Sequence, residues 1–141
     1  MERVSINLPA TTLFSYSFKI EENDINYANH MGNERILVLA NTIRTKFFMH
    51  LNLPENDSET KFGTIVANHS IHYKNEGFLG DEISCGVGVN TITACSFDLV
   101  FHFIKNTGKT LALVRTGCVY YDYKERKIHA LPQNFIQAFT V

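Results

Sequence analysis

Apolar and polar residues change their spacing several times along the chain, and each change marks a predicted element. Over residues 13–20, Phe14, Tyr16, Phe18 and Ile20 alternate with Ser15, Ser17 and Lys19, the period-two pattern of a strand with one wetter face. Residues 21–29 are rich in Asp, Asn and Glu, and the short side chains of Asp and Asn bond nearby backbone and favour turns and helix starts. Over residues 33–51, Ile36, Leu37, Ala40, Ile43, Phe47 and Leu51 recur at three- and four-residue steps, which predicts an amphipathic helix of about five turns. Asn52, Pro54, Asn56, Asp57 and Ser58 end it, because proline cannot continue the ladder and the polar cluster prefers turns.

Beyond that point the spacing stays strand-like. Residues 62–73, 82–91, 95–104 and 110–123 are rich in Val, Ile, Thr, Phe and Tyr, and the breaks fall at residues 77–81 and at the hairpin signal Asn106, Thr107, Gly108. Phe97, Leu99, Phe101 and Phe103 alternate with Ser96, Asp98 and His102, so this strand has a greasy face and a wetter one. One strand, one helix and four further strands predict an α+β fold in which an antiparallel sheet wraps a lone helix. The sheet's outer face and edges then stay open, and pairing with a second copy is the expected way to bury them. Residues 1–141 read as a single domain, since this length holds one real core and leaves no room for a second.

Charge and composition narrow the partners. Lys and Arg number 13 against 14 Asp and Glu, which gives no electrostatic footprint for nucleic acid or an anionic membrane. A small molecule or another protein is expected instead. Residues 1–10 lack a basic stretch followed by an apolar run, and no segment approaches the ~20 apolar residues of a membrane span, so a cytoplasmic location is predicted. Cys85, Cys95 and Cys118 are odd in number, lack CxxC spacing and sit in strand-like runs, which indicates neither a disulfide nor a zinc site. His69, His72 and His102 on strands, with His50 and His129 near element ends, have no carboxylate or thiol at ligand spacing and read as structural or surface groups. No phosphate-cradling glycine loop and no G-x-S-x-G turn occurs, and no metal or cofactor is predicted.

The candidate chemistry concentrates at the junction of loop and helix, in Asp24, Asn26, Tyr27, Asn29, His30, Met31, Gly32, Asn33 and Glu34. A helix start exposes unpaired N–H groups and a partial positive charge, so the backbone of Met31, Gly32 and Asn33 suits a carbonyl oxygen that becomes negative during acyl transfer. Gly32 lets a ligand approach closely, and His30 is of the residue type whose imidazole suits proton transfer near neutrality. The same residues also suit a plain turn, with Asn29 or Asn33 as helix cap.

Over nearly its whole length the chain resembles the hot-dog-fold thioesterases of the hydroxybenzoyl-CoA and acyl-CoA thioesterase type. Their loop carboxylates, Gly-His-Val-Asn-Asn and helical Glu-x-Ala-Arg look like residues 24–44 here, with Asp24, His30, Asn33 and Arg44 matching, Asn29 in place of Gly and Met31 in place of Val. Tyr73 with Gly80 and Asp81, then Ala112, Val119, Tyr120, Asp122, Leu131 and Pro132, fall where similar residues sit in that family. The departures lie at the chemistry. Asn26 stands where many relatives carry a carboxylate acting as nucleophile or base, and Asn41 near where others carry one on the helix. Plant-type acyl-carrier-protein thioesterases combine Asp, Asn and His, but with Asn and His two apart, where Ala28 stands here.

The resemblance implies a hot-dog fold and hydrolysis of an acyl-CoA or acyl-carrier-protein thioester to free acid and thiol. It assigns Asp24, Asn26 and His30 to catalysis and Met31, Gly32, Asn33 and Tyr73 to substrate binding, in a homodimer or homotetramer with no cofactor. In an extended loop Asp24 falls on Asn26's side of the chain, where it would orient His30 or activate a water, with Glu34 as a second candidate. The competing readings are a non-catalytic acyl-thioester binder or structural dimer on the same scaffold, and a hot-dog hydratase or dehydratase using His30.

Overall fold

The computed structural model describes residues 1–140. The alternating segments form strands β1 (Phe14–Lys19), β2 (Phe62–Tyr73), β3 (Glu82–Asn90), β4 (Ser96–Lys105) and β5 (Thr110–Asp122), and the three-and-four pattern forms helix α1 (Asn33–His50). The strands pair antiparallel in the order β1-β3-β4-β5-β2, so α1 leaves one edge strand and delivers the chain to the other. That connection lays the helix against the sheet. Ile36, Ala40, Ile43 and Phe47 of α1 are buried together with Val87, Leu99, Phe101, Phe103 and Val114 on the inner sheet face. Register follows from this burial, since Phe101 stands opposite both Val87 and Val114 and a one-residue slip would turn that row outward. The arrangement is the α+β hot-dog fold.

β2 contains one irregularity. Val66 pairs with Cys118 and Asn68 with Gly117, which leaves the exposed Ala67 as an extra residue in a β-bulge.

α1 is not a lone helix. After β5 come a two-residue strand β6 (Lys127–Ile128), paired to Tyr121 and Asp122, and a short helix α2 (Gln133–Phe139). Phe135 and Phe139 of α2 are buried, with rings 6.3 Å from Phe48 and 4.8 Å from Phe97 respectively. Two helical turns give too short a run of periodicity to stand out, and packing supplies what propensity does not.

Two strand histidines are tied into the sheet, His69 Nδ1 at 2.9 Å from Thr116 Oγ1 and His102 Nε2 at 2.9 Å from Thr110 Oγ1. Burial, and then the charge of Arg44 for His69 and of Lys74 for His102, holds both rings below their ordinary pKa of 6.5. The unfolded chain therefore takes up protons that the folded one refuses. The stability involved is complete above pH 6.5 and is lost as pH falls from there toward the lower folded values. Urea midpoints should drop between about pH 7.5 and 5.5, and drop less in a His69→Gln variant; the same pH slope in both proteins would rule out His69 as a source.

Candidate active site

The loop before α1 is built from local hydrogen bonds. Asp24 N–H donates to Glu21 O and Glu21 N–H to Asp24 Oδ2, each at 2.9 Å, which closes a single 3₁₀ turn over Glu22–Asp24. Asp24 Oδ1 accepts from Arg35 Nε at 2.9 Å, and its backbone carbonyl accepts from Gly32 N–H at 2.9 Å. The extended geometry expected for this loop is thus absent at Asp24, because a 3₁₀ turn does not alternate its side chains. The buried carboxylate is engaged by Arg35 and the turn backbone.

Residues 25–31 form a small hairpin in which Ile25 bridges Met31 and Asn26 N–H donates to His30 O at 2.9 Å. Asn26 Oδ1 accepts from Ala28 N–H at 2.9 Å, an Asx turn, and the Nδ2 donors have no acceptor among the described residues. Asn29 has φ +64°, in the left-handed region that glycine and asparagine tolerate best. His30 Nδ1 lies 3.0 Å from Met31 O. A carbonyl only accepts, so Nδ1 carries the proton and Nε2 is the acceptor of the neutral ring.

The N–H groups at the helix start are not equivalent. Met31 N–H donates to Gly77 O at 2.7 Å and Gly32 N–H to Asp24 O at 2.9 Å, so two of the three expected oxyanion donors are occupied. Asn33 N–H, in the first helical residue, has no acceptor among the described residues. Glu34 folds back over the N-cap: a Cβ built on Gly32 would lie 2.6 Å from its Oε1. Tyr73 donates its hydroxyl to Asn33 O at 2.8 Å, and burial, then the charge of Glu34, pushes its pKa up, so the phenol stays protonated.

Asn26, His30, Met31, Gly32, Asn33 and Tyr73 line one cavity of about 310 Å³; Asp24 does not. Ile36, Asn75, Glu76, Gly77 and Leu111 complete it. Sequence reasoning missed these five, although Gly77 lies in a predicted turn. A Cβ there would lie 2.7 Å from Ile20 Cδ1, so a larger residue would need the tip of the Ile20 side chain to shift. A second, shallower hollow of about 460 Å³, bounded by Ser17, Ser84 and Asn106 among others, contains none of the predicted residues.

A family model described as the thioesterase-like superfamily matches residues 20–139, the stretch that contains the whole cavity. The chain belongs to this superfamily. No curated protein sequence matches it. Among solved structures, this thioesterase-like chain is similar to a 1,4-dihydroxy-2-naphthoyl-CoA thioesterase from Synechocystis, with 19% identity, a TM-score of 0.81, and coverage of 89% of this chain and 94% of the other. A gentisyl-coenzyme A thioesterase gives 20%, 0.77, 90% and 100% respectively. A 12:0-ACP thioesterase from Umbellularia californica gives 11% and 0.81, over 91% of this chain and 51% of the other. At these identities the likeness is one of fold.

The remaining chemistry of this thioesterase-like chain is inert or distant. Burial pushes the Cys118 thiol up to about 12 and Cys85 higher still, so neither is a thiolate at neutral pH. Among the described residues no three potential ligating groups cluster as a metal site, and no helix is long and apolar enough to cross a membrane.

Proposed function

We propose that the protein hydrolyses an acyl-CoA or acyl-carrier-protein thioester to the free acid and the thiol. One observation carries this reading: the unpaired Asn33 N–H at the start of α1 belongs to a residue on the same cavity as Asn26 and His30. The thioester oxygen sits at that N–H, where the helix dipole and the hydrogen bond stabilise the charge that develops on attack. Asn26 Nδ2 donates to the attacking water and His30 Nε2 accepts from it, which leaves one water lone pair aimed at the carbonyl carbon. Asp24 enters as a positioning residue, fixing Gly32 through its carbonyl and α1 through Arg35. Met31, Gly32 and Tyr73 shape the cavity wall beside the thioester.

The similar solved structures named for CoA and ACP thioesters support both carriers. The outer edge of β2 beyond Thr64, where residues 55–57 no longer pair with it, supports a homodimer joined edge to edge with the cavity at the subunit interface. A panel of acyl-CoAs, aromatic and aliphatic, tests the reading by release of free thiol, with sedimentation of the same sample giving a dimer's mass. Saturable acyl-CoA binding without turnover would replace hydrolysis by a non-catalytic binder, the reading that the neutral amide of Asn26 favours.

A further inference from the structure

Attack on a thioester by water needs a group that removes the water's proton, and an amide at position 26 cannot do so. The carboxylates of Asp24, Glu34 and Glu76 sit in different environments. Asp24 is held by Arg35 Nε and Glu21 N–H, and is not on the cavity wall. Glu34 is drawn back over Gly32 at the helix N-terminus, where a negative charge is favourable. Glu76 lines the cavity, and its carboxylate makes no hydrogen bond or ion pair with any described residue.

The backbone that carries Glu76 is fixed although its side chain is free. Lys105 Nζ donates to Glu76 O at 3.0 Å while pairing with Asp81 Oδ2 at 3.2 Å. On either side, Asn75 Nδ2 donates to Thr110 O at 2.6 Å and Gly77 O accepts Met31 N–H at 2.7 Å. The last bond ties the loop to the helix start, so the Glu76 backbone is held at a set place relative to Asn33. Glu76 is an exposed residue on the cavity lining with its backbone anchored and its carboxylate unpartnered among the described residues, so the side chain is free to reach a water bound in the cavity, as a general base must.

We propose that Glu76 is the general base of the hydrolysis, an assignment that rests on the hydrolytic reading above. The water held by Asn26 and His30 forms its bond to the carbonyl carbon while its proton passes to the Glu76 carboxylate. The oxyanion forms at Asn33 N–H. Collapse of the tetrahedral species breaks the carbon–sulfur bond, and Glu76 returns the proton to the departing thiolate. Acid and thiol leave with the enzyme restored.

The test compares the full-length protein with Glu76→Gln and Glu76→Asp on an acyl-CoA that the wild type turns over, with water and then hydroxylamine as acceptor. Neutral hydroxylamine attacks without prior deprotonation. Glu76→Gln should lose about 10²- to 10⁴-fold in kcat toward water, with KM nearly unchanged and hydroxamate formation largely retained. Glu76→Asp should recover part of the hydrolysis. Hydrolysis by Glu76→Gln at the wild-type rate would overturn this inference and leave the hydrolytic reading standing. Equal loss of hydrolysis, hydroxamate formation and acyl-CoA binding would overturn it too, by making Glu76 a binding group. A wild type that turns over no acyl thioester would overturn both readings together.

Discussion

Asn33→Pro should lose about 10²- to 10³-fold in kcat while keeping its fold, because it removes a single backbone N–H where proline is welcome. Asn33 is the first residue of α1, a position whose N–H has no intrahelical partner and where the fixed φ of proline suits the helix. The residue before a proline must be extended, and Gly32 already has φ −64° and ψ 141°. The substitution therefore deletes the proposed oxyanion donor with little strain. Asn33→Ala keeps the N–H, loses only the side chain, and serves as the control. The two variants should melt together and differ in thiol release; equal rates would place the polarising group elsewhere, with Glu34 N–H next along the helix.

The largest effect on stability is expected at Phe135, in the helix that the sequence pattern did not disclose. Its side chain is 1% exposed, and its ring centroid lies 5.4 Å from that of Tyr120, 6.3 Å from Phe48, 6.4 Å from Phe97 and 6.0 Å from Phe139. Phe135→Ala removes the ring at which α1, the sheet and α2 meet. The cost should be about 3–5 kcal/mol, the range for a buried Phe→Ala change in a core that relaxes only partly. For a chain of this length the melting temperature should fall by about 10 °C or more. Exposed Gln137 on the same helix should tolerate alanine within about 0.5 kcal/mol. A Phe135→Ala loss below about 1 kcal/mol would mean that α2 does not close the core.

The fate of these two positions shows which parts of the molecule are legible in a sequence. α1, β1 and β4 repeat one spacing over six to eighteen residues, and β2 and β5 are long runs of strand-forming residues, so Ile36, Ala40, Ile43 and Phe47 announce their shared face. α2 offers Phe135, Ile136, Ala138 and Phe139 in seven residues, with no side-chain cap and no acid in its first turn. The helix-start cluster was readable because Asn26, His30, Gly32 and Asn33 are neighbours along the chain. Glu76 and Leu111 reach the same cavity through pairing of distant strands, and nothing in their flanking residues encodes that. Hydrogen-bond commitments were hidden for the same reason. Gly77 occupies Met31 N–H and Arg35 occupies Asp24, and both partners are set by the folded loop.

The bulge at Ala67 has an evolutionary corollary. Losing one residue from a regular strand reverses every side chain beyond the cut, which in β2 would turn Tyr73 away from the carbonyl of Asn33. Deleting the codon for Ala67 has a different outcome, because Val66 and Asn68 already pair with the adjacent residues Cys118 and Gly117. The shortened strand would become a regular ladder with His69, Ile71 and Tyr73 on their present faces. β2 thus contains one site at which its length can drift between lineages without disturbing the cavity at its end.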